Sequence, residues 1–326
     1  MQSSFDSAFS VASQDGNGSI ETPKPVPGGP TIEFTGYSTF VIGSSKKFLY
    51  AMTTGFSAIR VYSFFGPGVQ LQTGQQFLPK DTSRPLNSIN VDPTERFLYL
   101  VESPGIIEQF SVDKSAGTLT NGVVVTEPNA DLRMTVITPS GKFLFGNDLT
   151  LGRIFAYAIG SNGALSPVTG SPFAVPAGGQ PTRLAMDSTG QYLYASLLTD
   201  GVAAFKIDGS TGSLVDVPGS PFLTSGQPSG IAVSSSNFVY ITSSVAVDGF
   251  KADAVGTLSP VSGSPFQLSS SSPIVDATGQ FLYVIGSNST IYGFKIDPTS
   301  GAFNAISGSP FTSVQNPWLL TPLKIP

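Results

Sequence analysis

The chain has no cysteine and no histidine among its 326 residues. Without cysteine there is no disulfide framework, no thiol nucleophile and no thiolate metal site. Without histidine the commonest general base is missing, and with it the Ser-His dyad and most zinc or transition-metal sites. Any catalysis must then run on carboxylates, lysine, tyrosine, a hard metal ion or electrostatics alone. Charge is scarce too: 11% of residues are charged, against roughly 25% in an ordinary soluble protein. The net charge of −5 and the lack of any block of like charge exclude a nucleic-acid partner, which needs clustered Lys and Arg. No apolar run approaches the ~18 residues of a membrane span. The first residues lack the basic stretch and apolar core of a secretory leader. Neither a cofactor nor a metal site is expected. Low charge with abundant Ser and Thr reads as an exported surface, extracellular or periplasmic, with a leader replaced by Met1; a cytoplasmic location is the alternative.

What the chain does contain is a repeat. An aromatic-aliphatic-aromatic triplet recurs at Phe48-Leu49-Tyr50, Phe97-Leu98-Tyr99, Phe143-Leu144-Phe145, Tyr192-Leu193-Tyr194, Phe238-Val239-Tyr240 and Phe281-Leu282-Tyr283, at intervals of 43 to 49 residues. A period in the forties, built of short β-type runs and Gly/Pro/Ser turns, marks a β-propeller blade. Seven such units use the whole chain. The stretch 181–222 is the clearest blade. Thr182–Met186 reads as the innermost strand, Tyr192–Ser196 as the second and Val202–Ile207 as the third, with Val217–Phe222 as the outer edge. Asp200-Gly201 is a hairpin signal. Gly-Ser-Pro-Phe recurs at 170–173, 219–222, 263–266 and 308–311. Its proline suits an edge strand, and its Phe can fold between blades. Asp113, Asp208, Asp253 and Asp297 recur after the third strand, where an Asp capping its own turn is the expected role, ahead of calcium.

Six triplets define six blades. The seventh must come from both ends: Asn316–Pro322 supplies one inner strand, and residues 1–36 the others. The expected architecture is therefore all-β, a seven-bladed β-propeller of four-stranded antiparallel blades. It forms one domain over 1–326, with N-terminal closing strands in 1–36, six sequential blades in 37–315 and a C-terminal inner strand in 316–326. N-terminal strands pairing with the C-terminal strand would close the ring. Donated to a neighbouring molecule, they would link propellers into a chain.

The blade grammar combines Gly-x-Phe-Leu-Tyr, Phe-x-Ile-Asp followed by Gly-x-Leu, and Gly-Ser-Pro-Phe. It resembles the lactonase-type seven-bladed propellers, the 6-phosphogluconolactonase-like, 3-carboxymuconate-cyclase-like or YVTN-repeat proteins, over about residues 38–320. The resemblance implies the propeller fold and a site of His, Glu and Arg around the channel mouth. This chain has no His to place there.

Three of the six arginines keep the blade period: Arg84, Arg133 and Arg183. Each falls in the loop leading from one blade's outer strand into the next blade's inner strand. Together they would make an anion site for a carboxylate or sugar acid, or each would pair with a local carboxylate such as Asp81 or Asp131. Acidic candidates for a base are Glu102, Asp148 and Asp200, each just after a second strand, with turn chemistry as the alternative for the two aspartates. Trp318, the only tryptophan, is a candidate stacking platform or a core residue. Asn17-Gly18-Ser19 and Asn288-Ser289-Thr290 match the glycosylation sequon.

The first functional expectation is a non-catalytic, exported propeller scaffold presenting a ligand- or protein-binding face, with Arg84, Arg133, Arg183 and Trp318 holding a small anionic ligand or protein partner at the channel mouth. The alternative is a lactone hydrolase for a sugar-acid or muconate-type lactone, working without histidine through Glu102, Arg133 and Arg183. A second alternative is a self-assembling structural subunit linked through the split blade.

Overall fold

The computed structural model describes residues 37–312 except 46, 54–56, 66–67, 200, 277 and 287–289. The closing segments, both sequons' asparagines, Asp200 and Trp318 lie outside the described residues. Within them the chain forms six antiparallel sheets in sequence order, here numbered as blades one to six. Their first strands are Tyr37–Ile42, Leu86–Val91, Leu132–Ile137, Pro181–Met186, Pro228–Val233 and Ser270–Val275. From blade one to blade six each lies against the first strand of the next, so the first strands stand around a common axis and line the channel.

The aromatic triplets open the six second strands, which begin at Phe48, Phe97, Phe143, Tyr192, Phe238 and Phe281. In blades two to six every residue of this strand is buried. A strand with both faces covered reads as a continuous apolar run rather than an alternation. Successive side chains point to opposite faces, so Leu98 and Leu100 pack towards blade one while Phe97, Tyr99 and Val101 pack towards blade three. Each such side chain contributes roughly 1.5–3 kcal/mol by leaving water. The core is thus a series of inter-blade clusters rather than a single central one.

The turn glycines complete this packing. Gly117, Gly163, Gly212, Gly256 and Gly301 lie under the first aromatic ring of a preceding blade's triplet, and a Cβ there would fall 2.2–2.6 Å from a ring carbon. All five also have positive φ, between 72° and 86°. Glycine is required twice over, for conformation and for space. The recurring aspartate stands three or four residues before four of these glycines, and Asn162 precedes Gly163. Asp208 accepts from Ser210 N, Ser210 Oγ and Thr211 N at 2.5–2.9 Å, which lowers its pKa to about 2. Asp113, Asp253 and Asp297 cap their turns in the same way.

The Gly-Ser-Pro-Phe motif differs in detail from an outer strand. In blade four the fourth strand is Leu214–Asp216, earlier than expected. The Gly-Ser-Pro that follows leaves the sheet, and Ser220 Oγ accepts the Ala204 N–H of the third strand at 2.9 Å. Ser171, Ser264 and Ser309 do the same for Ala156, Gly249 and Gly293. The serine hydroxyl thereby supplies the acceptor for a ladder donor where the chain leaves the sheet. The phenylalanine then returns: Phe222 pairs with Val202 and packs between blades four and five.

Candidate active site

Antiparallel pairing sets which residues share an end of the ring. Leu86 pairs with Glu102, Leu132 with Asp148, and Pro181 with Leu197. The first residue of each inner strand therefore lies beside the last residue of the second strand, at the end of the channel where the inner strands begin. Arg84, Glu102, Arg133, Asp148 and Arg183 all lie at this end.

The three arginines do not occupy equivalent positions there. Arg84 precedes its inner strand, while Arg133 and Arg183 lie within theirs, the second and third residues of Leu132–Ile137 and Pro181–Met186. The first strands begin earlier than the loops suggested because Leu132 and Pro181 already pair with the second strands. Two of the arginines pair with local carboxylates. Arg84 Nε meets Asp81 Oδ2 at 2.8 Å. Arg133 grips Asp131 with two contacts of 2.8 Å, one from Nε and one from Nη2.

Arg183 is different. Among the described residues no carboxylate lies within ion-pair distance of it, and its Nη1 donates to Thr182 O at 3.1 Å. Its side chain is exposed, yet desolvation by surrounding protein lowers its pKa. Both hold for a guanidinium that water reaches within a channel. A low-dielectric surround strengthens its pull on an incoming anion.

Glu102 and Asp148 hold equivalent places at the ends of their second strands, and their surroundings separate them. Asp148 is fully buried and saturated: Arg153 Nη2 meets Oδ2 at 2.6 Å, and the Asp131 and Leu151 N–H groups donate to Oδ1. It anchors loops. Glu102 is 2% exposed and has no cation within ion-pair distance among the described residues. Burial, then the charge of Glu108 and a hydrogen bond with its carboxyl, push the Glu102 pKa up to about 7, against a smaller opposing pull from Arg84. Neither Arg133 nor Arg183 is among the causes of that shift, so the electrostatic partners of Glu102 are Glu108, Arg84 and Asp81.

Glu108 is the residue that sequence reasoning missed. Leu100 pairs with Glu108, and Glu102 with Ile106, which puts both carboxyls on the blade-one face of the sheet. Glu108 is fully buried and accepts from Lys80 N and Asn121 Nδ2, both at 2.9 Å. Asp248 of blade five holds the corresponding place and accepts from Ser225 N and Oγ, so this position ties the entering loop to the third strand. The signal was present: an acid stands between apolar residues in Ile106-Ile107-Glu108-Gln109-Phe110, where a buried strand leaves it no solvent.

Chemically, this end offers one carboxyl poised near neutrality and one guanidinium without a carboxylate partner among the described residues. No group of three or more Asp or Glu able to hold a metal ion occurs among the described residues. No helix among them is long and apolar enough to cross a membrane.

Known proteins bear on this arrangement. The periplasmic gluconolactonase of Pseudomonas aeruginosa superposes with a TM-score of 0.71 at 20% identity, covering 91% of this chain and 92% of that one. A putative 6-phosphogluconolactonase from Bacteroides fragilis superposes with a TM-score of 0.70 at 21% identity, over 82% of each chain. A protein from Lactobacillus plantarum gives 0.69 at 20% identity over 85% of each. At these identities the likeness shows the fold. No curated protein matches the chain. The family described as lactonase, 7-bladed beta-propeller, matches residues 126–318. That is more than half of the sequence, and the chain therefore belongs to the lactonase family of seven-bladed β-propellers.

Proposed function

We propose that the protein is a lactone hydrolase working without histidine. Glu102 takes a proton from a water molecule as its oxygen attacks the lactone carbonyl carbon. The ring C–O bond then breaks, and the proton passes to the ring oxygen to give an open-chain hydroxy acid. An arginine balances the charge that develops on the carbonyl oxygen. The observation that carries the reading is a buried carboxyl with its pKa pushed to about 7 at the channel end where Arg183 stands. A base with its pKa near the working pH is about half carboxylate and still binds a proton well. Family membership and the two neighbours named as lactonases support hydrolysis over the non-catalytic scaffold expected first. The periplasmic neighbour supports an exported location. Self-association through the closing strands concerns residues outside those described.

The test is lactone ring opening, followed by base consumption at constant pH over a panel of lactones, with wild type beside Glu102→Gln and Arg183→Ala. Turnover that Glu102→Gln loses by at least a hundredfold is the expected result. Equal rates in wild type and Glu102→Gln would remove Glu102 from the mechanism, and no turnover of any lactone would end the hydrolase reading.

A further inference from the structure

The end of the ring that carries Arg183 is divided in character. On the side of blades two and three the arginines are paired, as Arg84–Asp81, Arg133–Asp131 and Arg153–Asp148, beside the buried carboxyls Glu102 and Glu108. On the side of blades four to six the loops at this end are 175–180, 198–201, 223–227, 244–246 and 267–269, and Asp200 is their one charged residue. These loops and the neighbouring 149–152 instead present aliphatic side chains to solvent: Leu151 is 51% exposed, Leu198 44%, Leu223 78% and Val245 50%.

These side chains belong to one continuous arc of loops. A Cβ on Gly152, next to Leu151, would fall 2.7 Å from Gly179 O in the loop entering blade four. That loop accepts the Leu198 N–H through Gln180 O at 2.8 Å, three residues before Arg183. Gly201 of the Leu198 loop abuts Phe222 O, where a Cβ would stand 3.0 Å away, and Leu223 follows. Gly226 of the Leu223 loop lies under Val245, with 2.7 Å from its would-be Cβ to Val245 Cγ2. The arc runs from Leu151 through Leu198 and Leu223 to Val245, with Arg183 on the strand that its middle loop enters.

We infer that the substrate is a lactone bearing an aliphatic arm and at most one negative charge, Arg183 receiving the charge and Leu198, Leu223 and Val245 covering the arm. A phosphorylated sugar lactone is the wrong match, because a dianion asks for several uncompensated cations and, among the described residues, this arc supplies one guanidinium. A polyhydroxylated ring would also leave its hydroxyls facing aliphatic carbon, where they lose hydrogen bonds to water and gain none. An alkyl arm instead gains by leaving water. This inference rests on the hydrolase reading for the reaction but not for the binding.

Two measurements separate the two claims. Turnover is followed over γ-lactones of increasing alkyl length, with and without a carboxylate, beside gluconolactone and its 6-phosphate. Binding of the corresponding alkyl γ-lactams, which do not open, is followed by calorimetry. Each methylene that the arc covers should raise kcat/KM, and lactam affinity, about fourfold, at roughly 0.8 kcal/mol per buried CH₂. Leu198→Ser/Val245→Ser should flatten that dependence. Arg183→Gln should weaken carboxylate-bearing ligands by tenfold or more and neutral ones little. Val255→Ser, an exposed valine at the opposite end, should change nothing. Lactams that bind with this length dependence while no lactone turns over would uphold the binding part of the inference and overturn the hydrolase reading. Turnover without length dependence, or fastest on the phosphorylated lactone, would overturn the inference and leave the hydrolase standing. Neither binding nor turnover would overturn both.

Discussion

Replacing Glu102 with glutamine tests the electrostatics of the site without any substrate. Glutamine keeps the shape of the side chain and cannot ionise. In the wild type the folded state holds the Glu102 proton up to about pH 7, while an exposed carboxyl releases it near 4.5. Because the folded pKa is the raised one, the folded protein binds more protons than the unfolded chain across that window. Stability is therefore fully present below pH 4.5 and falls as pH rises towards 7. At 1.36 kcal/mol per pH unit, the loss from this group amounts to at most about 3 kcal/mol. Glu102→Gln should remove that slope. In urea denaturation followed by circular dichroism, the variant should match wild type within about 0.5 kcal/mol at pH 4 and exceed it by up to about 3 kcal/mol at pH 8. A variant no more stable than wild type at pH 8 would refute the claim that a desolvated, Glu108-facing carboxyl sits here.

Gly212→Ala meets both a φ of +77° and Phe143 Cδ1 at 2.5 Å, and should lower unfolding free energy by about 2–4 kcal/mol. Gly178→Ala has a φ of +68° but nothing within 4 Å, and should cost only about 1 kcal/mol by the same measurement. Ser220→Ala leaves the Ala204 N–H without its acceptor, an expected loss of about 1–3 kcal/mol. Asp208→Ala should lower the melting temperature at pH 7. Because the folded pKa of Asp208 is depressed to about 2, the difference should shrink as pH falls through that value and vanish below it.

The blade plan was legible because each of its signals has a local cause. The triplets mark strands covered on both faces, and a Cβ on the turn glycines would fall 2.2–2.6 Å from a carbon of those same rings. The arginine site was less legible. The inner strands begin at Leu86, Leu132 and Pro181, a spacing that differs from that of the arginines, so Arg84 precedes its strand while Arg133 and Arg183 lie within theirs. Equal sequence spacing therefore does not give equal placement. Glu102 could be found from its place after a triplet strand, but its pKa could not. That depends on Glu108, brought to the same face by a register that joins Leu100 to it. The contrast between Glu102 and Asp148 was equally hidden, since it turns on Arg153 reaching one carboxylate and no cation reaching the other.

The most direct test of the account is the pH–rate profile of lactone opening, corrected for the uncatalysed reaction, in wild type and Glu102→Gln. A rate that climbs with pH to a plateau above about 7 and disappears in the variant is the predicted result, since Glu102 acts as a base only when ionised. A rate independent of pH across 5 to 9, or undiminished in Glu102→Gln, would contradict it.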